Sequence, residues 1–426
     1  MSPACLAIYL TWLQAGRLKS PRDKSCSYSP PRFPSRRPSD KAVNGLIFRV
    51  SRLDGDRPLP FSLAKGANGI LPDRMIAAMA DGGLILPAYP FVESQIQPAS
   101  LDLRLGDIAY RVRASFLPGP GATVAERIDE LKLHEIDLSD GAVLETNCVY
   151  IVPLLESLAL PKEIVASANP KSSTGRLDVF TRVIADGTRR FDMIGAGYHG
   201  PLYAEISPKT FPVLLREGSR LSQVRFRTGD AILDTDELGA LHRAERLVDV
   251  GDADLAGGVA LSVDLSGEGS NGFVGYRAKR HTGVVDVDRR GGYPMAEFWE
   301  PIEARKDGSL ILDPGEFYIL ASKEAVQVPP DYAAEMVPFD PLVGEFRVHY
   351  AGFFDPGFGY AGADGAGARA VLEVRSREVP FILEHGQIVG RLVYEKMLAR
   401  PNAMYGQRIG SNYQAQGLKL SKHFRV

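Results

Sequence analysis

The sequence predicts a mainly β protein in which one β domain occurs twice behind a disordered leader. Long helical periodicity is absent, whereas short apolar or β-branched runs bounded by Gly, Pro or Asp are frequent, and 43 Gly and 30 Pro supply turns. An internal repeat at a constant offset of 168 positions indicates a duplicated domain. The predicted organisation is a leader over residues 1–68, a first domain over 69–230, a linker over 231–254 and a second domain over 255–426.

The leader differs from the rest of the chain in composition. Residues 18–40 are dense in Ser, Pro and Arg and contain almost no aliphatic side chains, so they cannot bury enough apolar surface to offset chain entropy. Residues 1–68 carry 12 Lys and Arg against 4 Asp and Glu, which leaves residues 69–426 with a net charge of −10. Non-specific binding of nucleic acid needs a basic face, so the acidic body argues against that function.

No segment of the sequence predicts export or a membrane span. The longest N-terminal apolar run, residues 4–13, is too short to cross a bilayer and has no preceding basic residue. Cys148 is the single cysteine after the leader, which excludes a disulfide framework and a thiolate zinc site there. A cytoplasmic protein without zinc is expected.

Order is expected to begin near Gly69 with a short helix. In GILPDRMIAAMADGG, Pro72 suits the first turn, Asp73 lies near the positive end, and the Gly82-Gly83 pair ends the helix. Strands follow, because apolar and charged residues alternate over residues 101–105. The charged linker sequence DTDELGALHRAERL is compatible with a further small helix.

The repeat is carried by matched residues over some 70 positions. The pairs at the offset of 168 include Pro161 with Pro329, Glu205 with Glu373, Pro212 with Pro380, and Gly218 with Gly386. Upstream, SLDLRLG at 100–106 is similar to LSVDLSG at 261–267, with a short insertion or deletion between the two blocks. Two copies of one β domain are therefore predicted.

One glycine pattern is misleading. Residues 195–200, GAGYHG, fit the G-x-G-x-x-G dinucleotide fingerprint, but that site needs a helix after the glycines. Residues 202–206 alternate like a strand instead, so a β-turn is predicted.

The sharpest motif is KSSTGR at residues 171–176, called here the phosphate motif. Two cations flank three hydroxyl groups and a glycine within six residues. Lys and Arg supply charge, hydroxyl groups supply donors, and glycine allows close approach of the backbone, so the segment suits a phosphate chain. Taken alone, it is equally consistent with a solvated polar turn.

Three segments together resemble the dCTP deaminase family. Residues 70–106 resemble the opening of that family, with a D-R-x-I helix before Q-P-A-S-x-D-L-R-L-G, and the phosphate motif resembles R-S-S-x-x-R with Lys171 in place of the first arginine. The C-terminal stretch 405–417 is similar to the family's nucleotide-covering tail. The resemblance covers residues 69–426 and implies two tandem dUTPase-like β-barrel or β-prism domains.

The resemblance implies zinc-independent hydrolysis of dCTP to dUTP and ammonia, with a glutamate as general acid and base. Two glutamates compete for this role. Glu373 lies in V-L-E after the D-P-G turn at residues 355–357, whereas Glu205 follows a turn that has Gly195 and Ala196 in place of Asp and Pro. Glu373 is favoured, and it should share a strand face with Val371, opposite Leu372.

The resemblance also assigns the remaining site residues. Ser172 and Arg176 would position the attacking water and stabilise developing charge, and the backbone carbonyl of Ala351 would help to hold that water. The other residues expected to bind substrate are Lys171, Ser173, Thr174 and Gly175 at the phosphates, and Asp355, Val371, Leu372, Tyr405 and Gln416 around the nucleotide. Mg²⁺ would bridge triphosphate oxygens.

Each copy retains a different part of the family's site. The first keeps the phosphate motif, and the second keeps the D-P-G turn, a glutamate and the tail, so a composite site between copies is expected. A monomer and an oligomer with threefold symmetry both remain open, as does feedback inhibition by dTTP. Alternative functions are dUTP pyrophosphatase, a bifunctional deaminase and pyrophosphatase, or a non-catalytic nucleotide-binding regulator.

Overall fold

A computed structural model describes most of the chain after the leader. The described residues are 59–338, 346–348, 352–360, 367–376, 378–406 and 417–425. The leader, apart from its last ten residues, lies outside this range, as do Ala351 and Gln416. The predicted mainly β class is confirmed.

The first half contains thirteen strands and three short helices among the described residues. The strands are β1 (Gly69–Ile70), β2 (Ile85–Pro87), β3 (Leu101–Leu103), β4 (Ile108–Val112), β5 (Lys132–Asp137), β6 (Ala142–Leu144), β7 (Val149–Ala159), β8 (Val165–Pro170), β9 (Val179–Ala185), β10 (Met193–Ile194), β11 (His199–Pro208), β12 (Val213–Leu215) and β13 (Ser222–Thr228). The helices are α1 (Asp73–Asp81), α2 (Val124–Leu131) and α3 (Ser172–Gly175).

The second half follows a connecting helix, α4 (Thr235–Glu245), which lies in the predicted linker. Its strands are β14 (Val259–Ser262), β15 (Phe273–Ala278), β16 (Val285–Asp286), β17 (Tyr293–Pro294), β18 (Trp299–Glu303), β19 (Ser309–Leu312), β20 (Phe317–Val326), β21 (Tyr332–Pro338), β22 (Phe346–Val348), β23 (Phe353–Phe354), β24 (Ala368–Ser376), β25 (Phe381–Glu384), β26 (Ile388–Lys396) and β27 (Phe424–Arg425), with the short helix α5 (Met295–Phe298).

Strand order repeats between the halves. The path β13-β8-β10 corresponds to β26-β21-β23, and the path β5-β4-β7-β11-β9 corresponds to β18-β15-β20-β24-β22. The small sheet β12-β6 corresponds to β25-β19. The internal sequence repeat is thus expressed as the same sheet topology in both halves.

The local sequence signals agree with these elements. Helix α1 ends at Gly82 as predicted, although Pro72 is the N-cap residue rather than part of the first turn. Helix α4 begins with a capping box, in which Asp234 and Glu237 each accept the other's backbone N–H. Residues 195–198 form the predicted turn between β10 and β11, with Gly197 at a φ of +68°.

The two halves share a hydrophobic core. Strand β16 of the second half pairs in parallel with β12 of the first half. Phe211 of the first half packs edge-to-face on Phe298 and Trp299, with ring centroids 5.6 and 5.5 Å apart, and it also contacts Phe424 near the C-terminus. The relative position of the halves is therefore fixed by packing that neither half could complete alone.

Candidate active site

The phosphate motif follows β8 and forms the short helix α3. The amide N–H groups of Thr174 and Gly175 both donate to the carbonyl of Lys171, which closes the turn. The Thr174 side chain is buried, and its hydroxyl donates to the carbonyl of Leu221 at 2.9 Å. This hydrogen bond connects the turn to Leu221, the residue directly before β13.

Glu373 of the second half lies next to Arg176 of the first half. The Arg176 Nε and Glu373 Oε1 atoms are 3.7 Å apart, and both side chains are at most 5% exposed. Arg176 also donates from Nη1 to the carbonyl of Lys419 at 3.1 Å. The structure therefore brings together, within one chain, the motif arginine and the favoured glutamate.

The alternation along β24 points Glu373 toward the junction of the halves. Val371, on the same face, packs in the core that contains Phe211 and Trp299, whereas Leu372 and Val374 pack in the core of the second half. The Leu372 side chain therefore faces away from Glu373, so only its backbone is placed to contact a substrate there.

Burial dominates the electrostatics of Glu373. Loss of solvent raises the pKa of its carboxyl from the ordinary value of 4.5 to about 8, and the nearby Arg176 charge opposes that rise. A carboxyl group with a pKa near the working pH can both accept and donate a proton, as general acid–base catalysis requires.

Ser172 lies beside the segment that leads into the D-P-G turn. A Cβ built on Gly352 would come within 3.8 Å of Ser172 Oγ, so the hydroxyl is next to the residue that follows Ala351. Ala351, whose carbonyl was expected to help hold the water, lies outside the described residues.

Asp355 is buried and faces an arginine from the first half. Arg225 Nη2 is 3.4 Å from Asp355 Oδ1, and Arg225 Nη1 is 3.1 Å from Glu395 Oε2. Burial raises the pKa of Asp355, while the charges of Arg225 and Lys171 oppose that rise. Asp355 thus links the D-P-G turn to a buried charge network, a role that the sequence did not reveal.

Tyr405, which is expected to contact the nucleotide, packs on the D-P-G turn. Its backbone N–H donates to the carbonyl of Pro356 at 2.8 Å, and its ring centroid is 5.7 Å from that of Phe358. Gly357 has a φ of +96°, and a Cβ there would lie 2.9 Å from Met404 Cβ. The turn therefore requires glycine at this position. Gln416 lies outside the described residues.

A group of cations surrounds Asp102 near the phosphate motif. The Asp102 carboxylate forms ion pairs with Lys171 and with Arg220, whose Nη1 is 3.2 Å away. Lys422, from the C-terminal segment, is close enough for the charges of Lys171, Arg290 and Arg220 to add to burial in lowering its pKa to about 8. We call Lys171, Arg220, Arg290 and Lys422 the cation cluster. Sequence reasoning found only Lys171 among them.

The C-terminal segment packs against the phosphate motif. Ser421 Oγ lies 3.0 Å from the carbonyl of Ser173 and 2.8 Å from His423 Nδ1, and its single proton serves one of these two acceptors. Burial lowers the pKa of His423 to about 4, so its imidazole is neutral at physiological pH. Its Nε2 lies 2.8 Å from the carbonyl of Val287, which fixes the segment that carries Lys422.

Glu205, the competing glutamate, lies in a different environment. Its Oε1 accepts hydrogen bonds from Arg182 Nη2 at 2.6 Å and Nε at 3.1 Å. The Arg182 guanidinium also stacks on Phe191, 3.4 Å from the ring centroid. The contacts recorded for the Glu205 side chain thus lie within the first half, and Glu373 is the glutamate placed beside Arg176.

The described residues contain no candidate for two other kinds of site. Within the described part of the chain, no group of three or more His, Cys, Asp and Glu side chains could hold a metal ion. No helix there is long and apolar enough to span a bilayer.

A duplicated β fold with a buried carboxyl and arginine pair beside a cation cluster defines a candidate nucleotide-processing site. Two family models agree with this class: the N-terminal domain of 2'-deoxycytidine 5'-triphosphate deaminase matches residues 67–230, and the C-terminal domain of the same family matches residues 234–424. The chain belongs to the dCTP deaminase family.

Individual relatives carry the same family name. A dCTP deaminase of Natronomonas pharaonis is 31% identical over 163 residues, which are 37% of this chain and 79% of the relative. A dUMP-forming dCTP deaminase of Methanothermobacter thermautotrophicus is 31% identical over 162 residues, with the same coverage. The crystal structure of the Agrobacterium tumefaciens 2'-deoxycytidine 5'-triphosphate deaminase has a TM-score of 0.75 and 63% identity, and the match covers 79% of this chain and 100% of that one.

Proposed function

We propose that this protein hydrolyses dCTP to dUTP and ammonia, with Glu373 as general acid and base, in the supply of dUTP for dTTP synthesis. The observation that carries the assignment of the site is the 3.7 Å approach of Arg176 Nε to Glu373 Oε1 across the two halves. Family membership supports the reaction, and this contact supports the residues that perform it.

The chemistry needs three proton transfers at one ring. Glu373, once ionised, takes a proton from water as the water oxygen bonds to C4 of cytosine, and it passes that proton to N3 as C4 becomes tetrahedral. Glu373 then delivers the second proton of that water to the amino group, and ammonia leaves as the C4 carbonyl forms. Such catalysis contributes about 10²–10⁴-fold to a rate.

Arg176 and Ser172 would prepare the glutamate and the water. The Arg176 guanidinium stabilises the ionised form of Glu373 and so makes a base available at neutral pH. The Ser172 hydroxyl, next to Gly352, would orient the water together with the Ala351 carbonyl. This pair of polar groups would fix the direction of attack.

The cation cluster would bind the triphosphate. Lys171 and Arg220 are held in place by Asp102, and Lys422 adds a further positive charge. We place the phosphates here because neighbouring positive charges contribute to the lowered pKa of Lys422. A bound anion would offset the repulsion among these cations. Mg²⁺ would enter bound to the triphosphate oxygens, as part of the substrate.

Incubation of the purified chain with dCTP and Mg²⁺, followed by nucleotide chromatography and ammonia detection, tests the proposal. Equal amounts of dUTP and ammonia are expected. Ammonia with dUMP would instead favour the bifunctional alternative, and no product from dCTP would favour the dUTP pyrophosphatase or the non-catalytic regulator. CTP and dCMP are matched control substrates for recognition of the sugar and the phosphates.

Two finer expectations accompany this function. We propose a cytoplasmic location, consistent with the single cysteine after the leader. Inhibition by dTTP is tested by adding dTTP to the same assay at dCTP concentrations near KM, where a competitor for the nucleotide site would raise KM without changing kcat.

A further inference from the structure

A second ion pair crosses the junction beside Arg176 and Glu373, with its charges reversed. Asp178 follows Arg176 by two positions in the first half, and Arg375 follows Glu373 by two positions on β24. Alternate residues of a strand share a face, so Glu373 and Arg375 both point toward the first half. Arg375 Nη2 forms an ion pair with Asp178 Oδ2, although the two residues are 197 positions apart.

Asp178 is fixed at the end of the phosphate motif. Its side chain is 1% exposed, and its φ of +54° lies in the left-handed region that non-glycine residues rarely adopt. Its N–H donates to the carbonyl of Gly175 at 2.8 Å, and its carbonyl accepts from the N–H of Lys209 at 2.9 Å. The Thr210 hydroxyl donates to the same carboxylate oxygen that pairs with Arg375. The carboxylate therefore has a defined position relative to Arg176.

Arg375 is held by contacts from both halves. Its Nη2 also donates to Thr210 Oγ1 at 3.0 Å, and its Nη1 donates to the carbonyl of Gly315. The guanidinium carbon lies 5.8 Å from the centroid of the Phe317 ring. A planar guanidinium with donors engaged on both sides resists sliding of one half against the other.

The reacting groups need such a constraint. Arg176 and Glu373 belong to different halves, and their closest atoms are 3.7 Å apart, beyond the range of a direct hydrogen bond. A displacement of about 1 Å at a reacting group can cost about 10²-fold in rate. The Asp178–Arg375 pair is an ion pair between the two halves that lies next to this contact in both sequences.

We propose that Asp178 and Arg375 are positioning residues that set the distance between Arg176 and Glu373 across the two halves. The inference rests on the proposed function of Glu373. The competing explanation is a buried ion pair that contributes only to folding, since such pairs strongly destabilise a protein when one partner is removed.

The test compares Asp178→Asn, Arg375→Met and Arg375→Lys with a control pair that also joins the halves. Arg216 Nη1 lies 2.9 Å from Asp286 Oδ1, so Asp286→Asn removes an inter-half ion pair on β16. For each variant, kcat and KM for dCTP, the pH dependence of kcat and the free energy of unfolding in urea are measured.

Asp178→Asn and Arg375→Met are expected to lower kcat by about 10–100-fold with KM changed less than about threefold. The acidic limb of the kcat profile should move to higher pH by about one unit, because Arg176 is the charged side chain recorded next to Glu373 and its stabilisation of the carboxylate weakens. Arg375→Lys should recover part of kcat. Asp286→Asn should lower stability without moving kcat or the pH profile.

The inference is overturned if Asp178→Asn and Arg375→Met keep kcat within about twofold and the wild-type pH profile while stability falls as in Asp286→Asn. If Arg375→Met does not fold, the nearly isosteric Asp178→Asn and the charged Arg375→Lys decide the question by the same criteria. Glu373→Gln separates a failure of the role proposed for Glu373 from a failure of the positioning role proposed for Asp178 and Arg375. Full activity in that variant refutes the proposed role of Glu373. Inactivity of Glu373→Gln together with unaffected Asp178→Asn and Arg375→Met variants refutes only the positioning role.

Discussion

Replacement of Glu373 by Gln is expected to stabilise the protein at neutral pH while it abolishes most of the deamination. Burial raises the pKa of Glu373 to about 8, against an ordinary value of 4.5 in an unfolded chain. Below pH 4.5 both states hold the proton. Between pH 4.5 and 8 the unfolded chain releases it while the folded protein keeps it, so the folded state loses stability as pH rises.

The magnitude follows from the width of that window. Within this window the free energy of unfolding falls by about 1.4 kcal/mol for each pH unit. Over the 2.5 units between pH 4.5 and pH 7, the wild type therefore loses about 3 kcal/mol of stability. Gln does not ionise, so its free energy of unfolding has no such loss. Glu373→Gln should therefore be more stable than the wild type by about this amount at pH 7 and by almost nothing at pH 4.5. Turnover should fall by about 10²–10⁴-fold, equivalent to about 3–5 kcal/mol in the activation barrier.

Urea unfolding of both proteins at pH 5, 6, 7 and 8, with dCTP turnover at each pH, measures these quantities. Glu205→Gln is the matched control with the opposite expectation. This variant removes the charge that pairs with Arg182. The free energy of unfolding should therefore fall by about 1–3 kcal/mol, while the folded enzyme keeps its kcat. A stability difference for Glu373→Gln that does not grow with pH, or turnover that survives, would refute the assignment.

Three further changes test the phosphate side of the site. Lys171→Met should raise KM for dCTP by about 10–100-fold in steady-state assays, with kcat changed only a few-fold, because one charge-assisted contact is lost. Thr174→Val should lower the free energy of unfolding in urea by about 1–2 kcal/mol and leave KM within about twofold, because its hydroxyl serves Leu221. Pyrophosphate binding should take up protons near pH 8, as the anion raises the lowered pKa of Lys422. Calorimetry in buffers of different ionisation enthalpy measures that uptake, and Lys422→Met should remove it.

The parts of the fold that the sequence predicts are those governed by local periodicity. Leu372 and Val374 alternate with Glu373, and the structure buries the two apolar residues in one core and turns the glutamate to the other face. The repeat at an offset of 168 is likewise visible because equivalent turns and strands keep their spacing in both halves.

The parts that the sequence does not predict depend on contacts between distant segments. Arg220 and Lys422 lie in no recognisable sequence motif. They join the cation cluster because the fold brings them close to Asp102 and Lys171. Asp102 does carry a signal, since it lies within the family-like segment, but its function as an anchor for cations follows only from the geometry. Thr174 is a further example, because the sequence does not reveal that its hydroxyl donates to the carbonyl of Leu221.

Duplication explains why the two glutamates could diverge. In a symmetric assembly of identical single-domain subunits, a motif lost from one subunit is lost from all, so each subunit must keep every part of the site. Two copies in one chain remove this constraint. Glu205 could then become the partner of Arg182, while Glu373 kept the buried position beside Arg176. Such specialisation requires a fixed pairing of the halves. The shared aromatic core around Phe211 and the inter-half ion pairs provide that pairing when the chain folds.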